Sequence, residues 1–463
     1  MKVLLVVYDN GSYIHTFPLG TAYIASTLRD HGHEVAVYHQ DVYHYHDKAL
    51  TTYLDENSFD AVGLGVIAGY YQYAKLLSLS RAINESGNRP DYFILGGHGP
   101  SPEPEYFLNK TGADMAVIGE GERTVVELLQ ALSGGKPLDT VPGIAYKNGS
   151  RVKVNPRREL IGDIDSIPRP AYDLFPIEYY RLIRYPHCSN DDYVMPVLSA
   201  RGCTFKCNFC YRMDKGYRAR RVDAILDEVG FLQDRYLVTY IDFADELLMS
   251  SKARVRELCE GIFDSGLRFK WFCNGRLNYA EPETLALMKR AGCVFINYGI
   301  ESFDDQVLKN MNKGLTTKRI VRGIESTLEA GISPGFNFIW GNIGDTKETL
   351  GKSVEFLLRY DDGAQLRTIR PVTPYPGSPL YYYAIEQGLL KDVKEFYEEK
   401  HVNSDLLAVN FTELSDDEFH ESLMEANILL LENYYKNKRA LMIEMTKHLY
   451  LTRDAGFRGY RQT

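Results

Sequence analysis

Three cysteines, Cys203, Cys207 and Cys210, stand in a C-x3-C-x2-C array inside Arg201-Gly202-Cys203-Thr204-Phe205-Lys206-Cys207-Asn208-Phe209-Cys210-Tyr211, just after an apolar, strand-like run from Tyr193 to Ala200. Thiolates are the usual ligands of iron–sulfur clusters, and one short loop can turn several sulfurs toward one face of a cubane. Three ligands for four irons leave one iron open. A structural zinc knot normally closes with four N/S ligands, and no C-x2-C partner lies nearby. A disulfide needs an oxidising compartment, whereas the 7 cysteines are odd in number and no signal peptide is expected ahead of the first strand. Buried free thiols are the plain alternative.

The loop resembles the cluster-binding motif of the radical S-adenosylmethionine (SAM) superfamily, C-x3-C-x-Φ-C, with Phe209 in the aromatic position. In that family the open iron chelates the amino and carboxylate groups of SAM, and an electron from the cluster cleaves the sulfonium to a 5′-deoxyadenosyl radical. The resemblance implies a 4Fe-4S cluster on Cys203, Cys207 and Cys210, with SAM beside Phe209.

A chain of 463 residues is expected to divide into two or three domains. The net charge of −9 argues against nucleic acid as the main partner, so Arg157-Arg158 and the Arg218 to Arg221 stretch read as solvated loops or local anion contacts. No run reaches the roughly 18 apolar residues of a membrane span, and a cytoplasmic location is expected.

Residues 1 to about 140 alternate strand and helix patterns: strands at Lys2 to Tyr8, Val35 to Tyr38, Ala61 to Ile67, Tyr92 to Leu95 and Met115 to Ile118, with helices such as Leu19 to His31, Tyr73 to Asn84 and Arg123 to Leu132. That alternation predicts an α/β, doubly wound (Rossmann-like) parallel sheet with its ligand beyond the carboxyl ends of the strands. Gly96-Gly97-His98 and Gly119-Glu120-Gly121-Glu122 fall at those ends, where glycine lets a large ligand approach the backbone or simply makes a tight turn. Together with Phe17-Pro18-Leu19-Gly20, these turns resemble the cobalamin-binding domain that precedes many radical SAM domains. The resemblance implies contacts from Gly96, Gly97, His98, Gly119, Glu120 and Gly121. There is no D-x-H-x-x-G, because Asp9 and His15 are too far apart for it. The resemblance therefore implies a base-off cobalt without a protein imidazole, with Tyr70 or Tyr71 as a cover for its lower face.

Residues 141 to 192 read as a connector. A hairpin over Val141 to Arg158 turns at Lys147-Asn148-Gly149-Ser150, and Ile167-Pro168-Arg169-Pro170 forces an extended path. From residue 193 to about 385 the pattern predicts a partial (β/α)6 barrel, whose second to sixth strands lie at Tyr236 to Phe243, Phe269 to Cys273, Phe295 to Ile300, Gly335 to Trp340 and Leu366 to Ile369. The strand ends carry Asp245 and Glu246, suited to a SAM ammonium, and Arg276, suited to fork a carboxylate. Helix capping is the rival role for Asp245. Gly299-Ile300-Glu301-Ser302 resembles the family's G-I-E-S segment, which implies that Glu301 and Ser302 reach SAM; a buried salt bridge is the rival role for Glu301. Asn337 is a further SAM candidate. Thr373 to Leu380 matches the turn that ends many cobalamin-plus-radical-SAM barrels. Residues 386 to 463 are expected to be a helical C-terminal extension, with a cap at Ser415-Asp416-Asp417-Glu418.

The resemblance as a whole implies a cobalamin-dependent radical SAM C-methyltransferase, fed by an electron donor such as ferredoxin or flavodoxin. The expected acceptor is an unactivated carbon of a peptide or protein, a glutamine Cα among them, or of a small molecule. Oxidative ring closure of the kind catalysed by the anaerobic magnesium-protoporphyrin cyclase, and a cobalamin-binding sensor or carrier, are the alternatives.

Overall fold

The apolar run at the start of the chain forms β1 (Lys2–Val7), followed by β2 (Glu34–His39), β3 (Ala61–Gly65), β4 (Tyr92–Gly96) and β5 (Met115–Val117). The structure, a computed structural model, describes residues 1–213 and 215–457. These strands are parallel and ordered β2-β1-β3-β4-β5, so the strand order reverses between β1 and β3. Ligands of open parallel sheets settle at that reversal, outside the carboxyl ends. Helices Leu19–Asp30, Tyr70–Asn84 and Glu122–Gly134 cover the sheet.

The expected hairpin forms, as β6 (Ile144–Asn148) and β7 (Arg151–Val154), but it does not stand in a separate connector. Its first strand pairs antiparallel with β5, extending the first sheet to seven strands. The first structural unit therefore runs past residue 140. The chain then packs Phe17 against Tyr172 and Tyr180, with ring centroids 5.3 and 5.4 Å apart, which merges this unit with the core of the next.

The second sheet is wholly parallel and six-stranded, in the order β15-β14-β13-β12-β11-β8: β8 (Val194–Val197), β11 (Tyr240–Phe243), β12 (Lys270–Gly275), β13 (Cys293–Glu301), β14 (Ser333–Trp340) and β15 (Arg370–Pro371). This is the expected partial (β/α)6 barrel. Two short strands, β9 (Ala200–Arg201) and β10 (Arg218–Ala219), pair antiparallel and close the base of the cysteine loop. The sixth strand sits later than Leu366 to Ile369. Ile369 donates its N–H to Asn427 Oδ1 at 2.8 Å and accepts from Asn427 Nδ2 at 3.0 Å, so its backbone is already bonded to a side chain before the chain reaches β14.

The longest element of the tail is the helix Asp416–Thr452, begun by the expected capping box between Ser415 and Glu418. Its first half buries Phe419, Leu423, Ala426 and Leu430, with Phe419 stacked on Trp340 at 4.3 Å. No described helix is long and apolar enough to cross a membrane.

One buried ring gives this region a pH dependence. His401 is 1% exposed, stacks on Phe396 at 5.1 Å, meets Tyr375 edge-on and has no hydrogen-bond partner on either ring nitrogen among the described residues. Burial pushes it down to about 4. The unfolded chain takes up a proton near the ordinary histidine value of about 6.5 and the folded chain does not, so stability is lost as pH falls through that window. At pH 5 the loss is about 2 kcal/mol. His401→Phe keeps the ring stack and removes the titration. Urea denaturation at pH 7 and pH 5 is expected to show a flatter pH dependence in that variant; an unchanged slope contradicts the assignment.

Candidate active site

Between β9 and β10 the chain carries the cysteines on a loop that other barrel loops hold in place. Asn208 donates its N–H to the Met311 carbonyl at 2.9 Å, and its own carbonyl accepts from Leu380 N–H at 2.9 Å. Its amide pairs reciprocally with Asn342, at 3.1 and 3.3 Å. Cys203 is half-buried, Cys207 buried and Cys210 exposed. The hydrogen bond with Cys210, and then the nearby Lys313 and Arg276 cations, hold the Cys207 thiol below the ordinary thiol range. A cysteine held as thiolate is a metal ligand in waiting.

Arg276 does not offer an open fork for a carboxylate. Its Nη1 lies 3.7 Å from Cys207 Sγ, its Nη2 donates to the Lys313 carbonyl, its Nε reaches Asn278 at 3.2 Å, and the guanidinium lies 3.4 Å from the Phe205 ring centroid. Glu301 likewise takes the salt-bridge role: Lys313 Nζ donates to its Oε1 at 2.8 Å, and both side chains are buried. Glu301 has φ +71, an uncommon conformation for a non-glycine residue, at the point where the β13–β14 register shifts. Lys313, which the sequence reading missed, also sits 5.5 Å from the Phe209 ring centroid, so it links the cysteine loop to the Gly-Ile-Glu-Ser turn. Ser302 is buried, and its hydroxyl has no hydrogen-bond partner among the described residues.

Asp245 and Glu246 separate. Asp245 is buried, with Oδ1 accepting from Ser199 N–H at 2.6 Å and Ala200 N–H at 2.9 Å, and Oδ2 accepting from the Ser199 hydroxyl. It clamps the bend between β8 and β9 and presents no free oxygen, contrary to the expected SAM contact. Glu246 is exposed and lines the central cavity. Asn337 is exposed on β14 between Phe336 and Phe338, which face the helical core, so by strand alternation it faces the barrel interior. Asp242, on β11, was not singled out from the sequence; burial pushes it up to about 7.

The cavity measures about 860 Å³, and both domains wall it. Gly65, Gly96, Gly97, His98, Gly119 and Gly121 line one side; Leu198, Ala200, Gly202, Met213, Ala244 and Glu246 line the other. It continues between the sheet and two helices past Val3, Leu5, Ile24, Val125 and Leu129, an apolar slot. The cradle depends on absent side chains. Gly97 has φ +91, and a Cβ there would lie 2.4 Å from the Val66 carbonyl oxygen; a Cβ at Gly121 would meet Ile24 at 2.8 Å. Gly97→Ala is expected to cost at least about 1–3 kcal/mol from backbone strain and to displace Val66, lowering corrinoid retained per chain in a gel-filtered preparation. Unchanged retention contradicts that role.

Tyr70 and Tyr71 do not line this cavity, which corrects their expected role over the lower face. Tyr70 opens its helix with its ring edge-on to His401, and Tyr71 packs over Gly11. Ile67, 53% exposed, projects from the same loop into the cavity instead. His98 lines the cavity and meets Tyr211 of the cysteine loop edge-on at 6.2 Å; burial holds its ring below the ordinary histidine range.

Glu120 lines the cavity too, but its carboxylate is turned into an ion-pair cluster rather than toward a ligand. It accepts from Arg201 Nη1 at 2.9 Å, Arg218 Nη1 at 2.8 Å and Ile161 N–H at 2.8 Å, and Arg201 also reaches Glu122 at 2.5 Å. Burial works to raise Glu120, yet these bonds hold it below the usual carboxylate range. The two arginines sit on β9 and β10, so the Gly-Glu-Gly-Glu turn of the first domain grips the base of the cysteine loop.

A family profile described as "B12 binding domain" matches residues 8–129, and one described as "Radical SAM superfamily" matches residues 197–357. An uncharacterized methyltransferase of Pyrococcus horikoshii, PH0819, is 30% identical over 402 residues, covering 84% of each chain. The chain belongs to the cobalamin-dependent radical SAM methyltransferases. Its cofactors are a 4Fe-4S cluster, SAM and cobalamin. The anaerobic magnesium-protoporphyrin IX monomethyl ester cyclase of Rubrivivax gelatinosus is 27% identical over 384 residues, 79% of this methyltransferase and 65% of the cyclase. The radical SAM methyltransferase TsrM from Kitasatospora setae, solved with cobalamin and a 4Fe-4S cluster bound, shares its fold, with a TM-score of 0.74 at 20% identity over 92% of this chain and 88% of TsrM.

The residues of this methyltransferase fit those groups. The cysteine triad supplies three sulfurs beside two cations, the Ser302 hydroxyl, without a hydrogen-bond partner among the described residues, lies at a barrel strand end, and the glycine cradle opens on an apolar slot.

Proposed function

We propose that this methyltransferase transfers a methyl group from SAM, by way of the corrinoid, to an unactivated carbon of an acceptor held between its two domains. One observation carries the reading: the cradle of the first domain and the strand ends of the barrel wall a single cavity. When bound there, the cluster and SAM supply hydrogen-atom abstraction and the corrinoid supplies a transferable methyl group.

The chain's own residues do the positioning. Cys203, Cys207 and Cys210 hold the cluster, with Arg276 and Lys313 balancing negative charge at Cys207. Glu246 is placed to receive an ammonium group from the cavity side. Ile67 presents hydrocarbon to the cavity, and His15 turns its Nε2 toward Asp9 at 3.2 Å. The exposed side of the loop at Cys210 gives a ferredoxin- or flavodoxin-type donor a short path to the cluster.

Anaerobically reconstituted protein, supplied with reductant and methyl-labelled SAM, tests the reading by mass spectrometry of the products. Label on an acceptor carbon supports it, and a panel including glutamine-containing peptides tests the peptide acceptor. An oxidised, unlabelled product overturns it in favour of the cyclase chemistry carried by the Rubrivivax relative.

A further inference from the structure

The loop after β1 brings together residues that the sequence holds apart. Asp9 opens the loop, His15 lies near its end, and His44 follows the short helix after β2 in a left-handed conformation, φ 52°. One ligand atom from each lies within 4.8 Å of the other two. His44 Nδ1 is 2.9 Å from Asp9 Oδ2, and His15 Nε2 is 3.2 Å from Asp9 Oδ1.

The His15 ring makes the arrangement more than a pair of contacts. It is 7% exposed, and its Nε2 makes no hydrogen bond to any described residue. That nitrogen faces a carboxylate oxygen at 3.2 Å, a spacing two ligands of one cation can share. The carboxylate itself is oriented by Gly11 N–H, which donates to Oδ1 at 2.7 Å, while Asp9 N–H donates to Gln40 at 3.0 Å. A carboxylate anchored on a backbone amide has the kind of outer partner that metal ligands ordinarily have.

We propose that Asp9, His15 and His44 form a binding site for a divalent transition cation of the zinc class, separate from the cluster. Two imidazoles and one carboxylate suit such a cation and leave one position for water. His15, Asn10 and Ser12 line the cavity, so the bound cation staples one wall of the chamber to the end of β2.

The test uses the full chain with cluster and corrinoid in place, treated with a chelator, gel-filtered and titrated with Zn2+ alone. Zinc per chain is read by mass spectrometry and its ligands by X-ray absorption at the zinc edge, where nitrogen or oxygen at about 2.0–2.2 Å is distinct from sulfur at about 2.3 Å. One zinc per chain with only nitrogen and oxygen neighbours is expected. Removing a ligand should weaken binding by at least about 100-fold, more than the roughly 10–100-fold cost of losing an outer partner. That loss is expected in His15→Ala and in His44→Ala; His44 is 42% exposed in its side chain, so its removal spares the core. No retained zinc, sulfur ligation, or undiminished binding in His44→Ala overturns the site. The readout needs no turnover, so it stands whatever the acceptor is.

Discussion

Cys207→Ala is expected to reduce SAM cleavage at least about a thousandfold, equivalent to about 4 kcal/mol of lost transition-state stabilisation. Of the three sulfurs Cys207 is the most enclosed, and it is the one that Arg276 and Lys313 face. Without it two cysteines remain, and the two cations face an empty corner of the loop. Iron and sulfide analysis should show a chain unable to hold a 4Fe-4S cluster. Corrinoid content should stay near that of the parent, because the cradle is built from other loops. Retention of cleavage in the alanine variant contradicts the assignment of the ligand triad.

Glu120→Ala is expected to be the most destabilising single change in the first domain. Its carboxylate receives Arg201, Arg218 and the Ile161 amide inside the molecule. Removing one partner of a buried pair costs about 3–5 kcal/mol, because the charge left behind has lost both water and its counter-ion. Glu122 still holds Arg201, so the loss belongs at the lower end of that range. The cluster joins the two sheets, so urea unfolding should separate into two transitions when followed by tryptophan fluorescence from the barrel and by corrinoid absorbance from the first domain. Coincident transitions at the parent's midpoint contradict the role of this contact. Glu120→Gln, which keeps the size and one acceptor, should lose less.

Local patterns carried most of the architecture in the sequence. The strands announced themselves because parallel strands buried on both faces are nearly continuous apolar runs, and the glycine turns fell at their ends. The cysteine array needed only its own spacing. What the sequence hid were partnerships between distant positions. Glu301 finds Lys313 12 residues on, across a helix; Asn208 finds Asn342 134 residues on; Glu120 finds Arg201 and Arg218 81 and 98 residues on. Side-chain pairing at that range leaves no periodic trace. Asp245 and Glu246 show the same limit at single-residue scale, since one turns into the clamp and its neighbour into the cavity. The sixth strand failed for a similar reason: Asn427, 58 residues away, takes the backbone bonds at Ile369 that a strand partner would have taken. Asp9 and His15 lack the spacing of a D-x-H-x-x-G motif, yet the loop between them folds back and brings them together.

That both halves of the chain open on one chamber is tested most directly by electron paramagnetic resonance on anaerobic protein carrying cob(II)alamin and a reduced cluster. A shared chamber requires the cobalt signal to be broadened by the nearby cluster spin, and the broadening to vanish in Cys207→Ala, which keeps the corrinoid. An unbroadened cobalt signal in protein loaded with both would place the two groups in separate sites and contradict the assignment of the cavity.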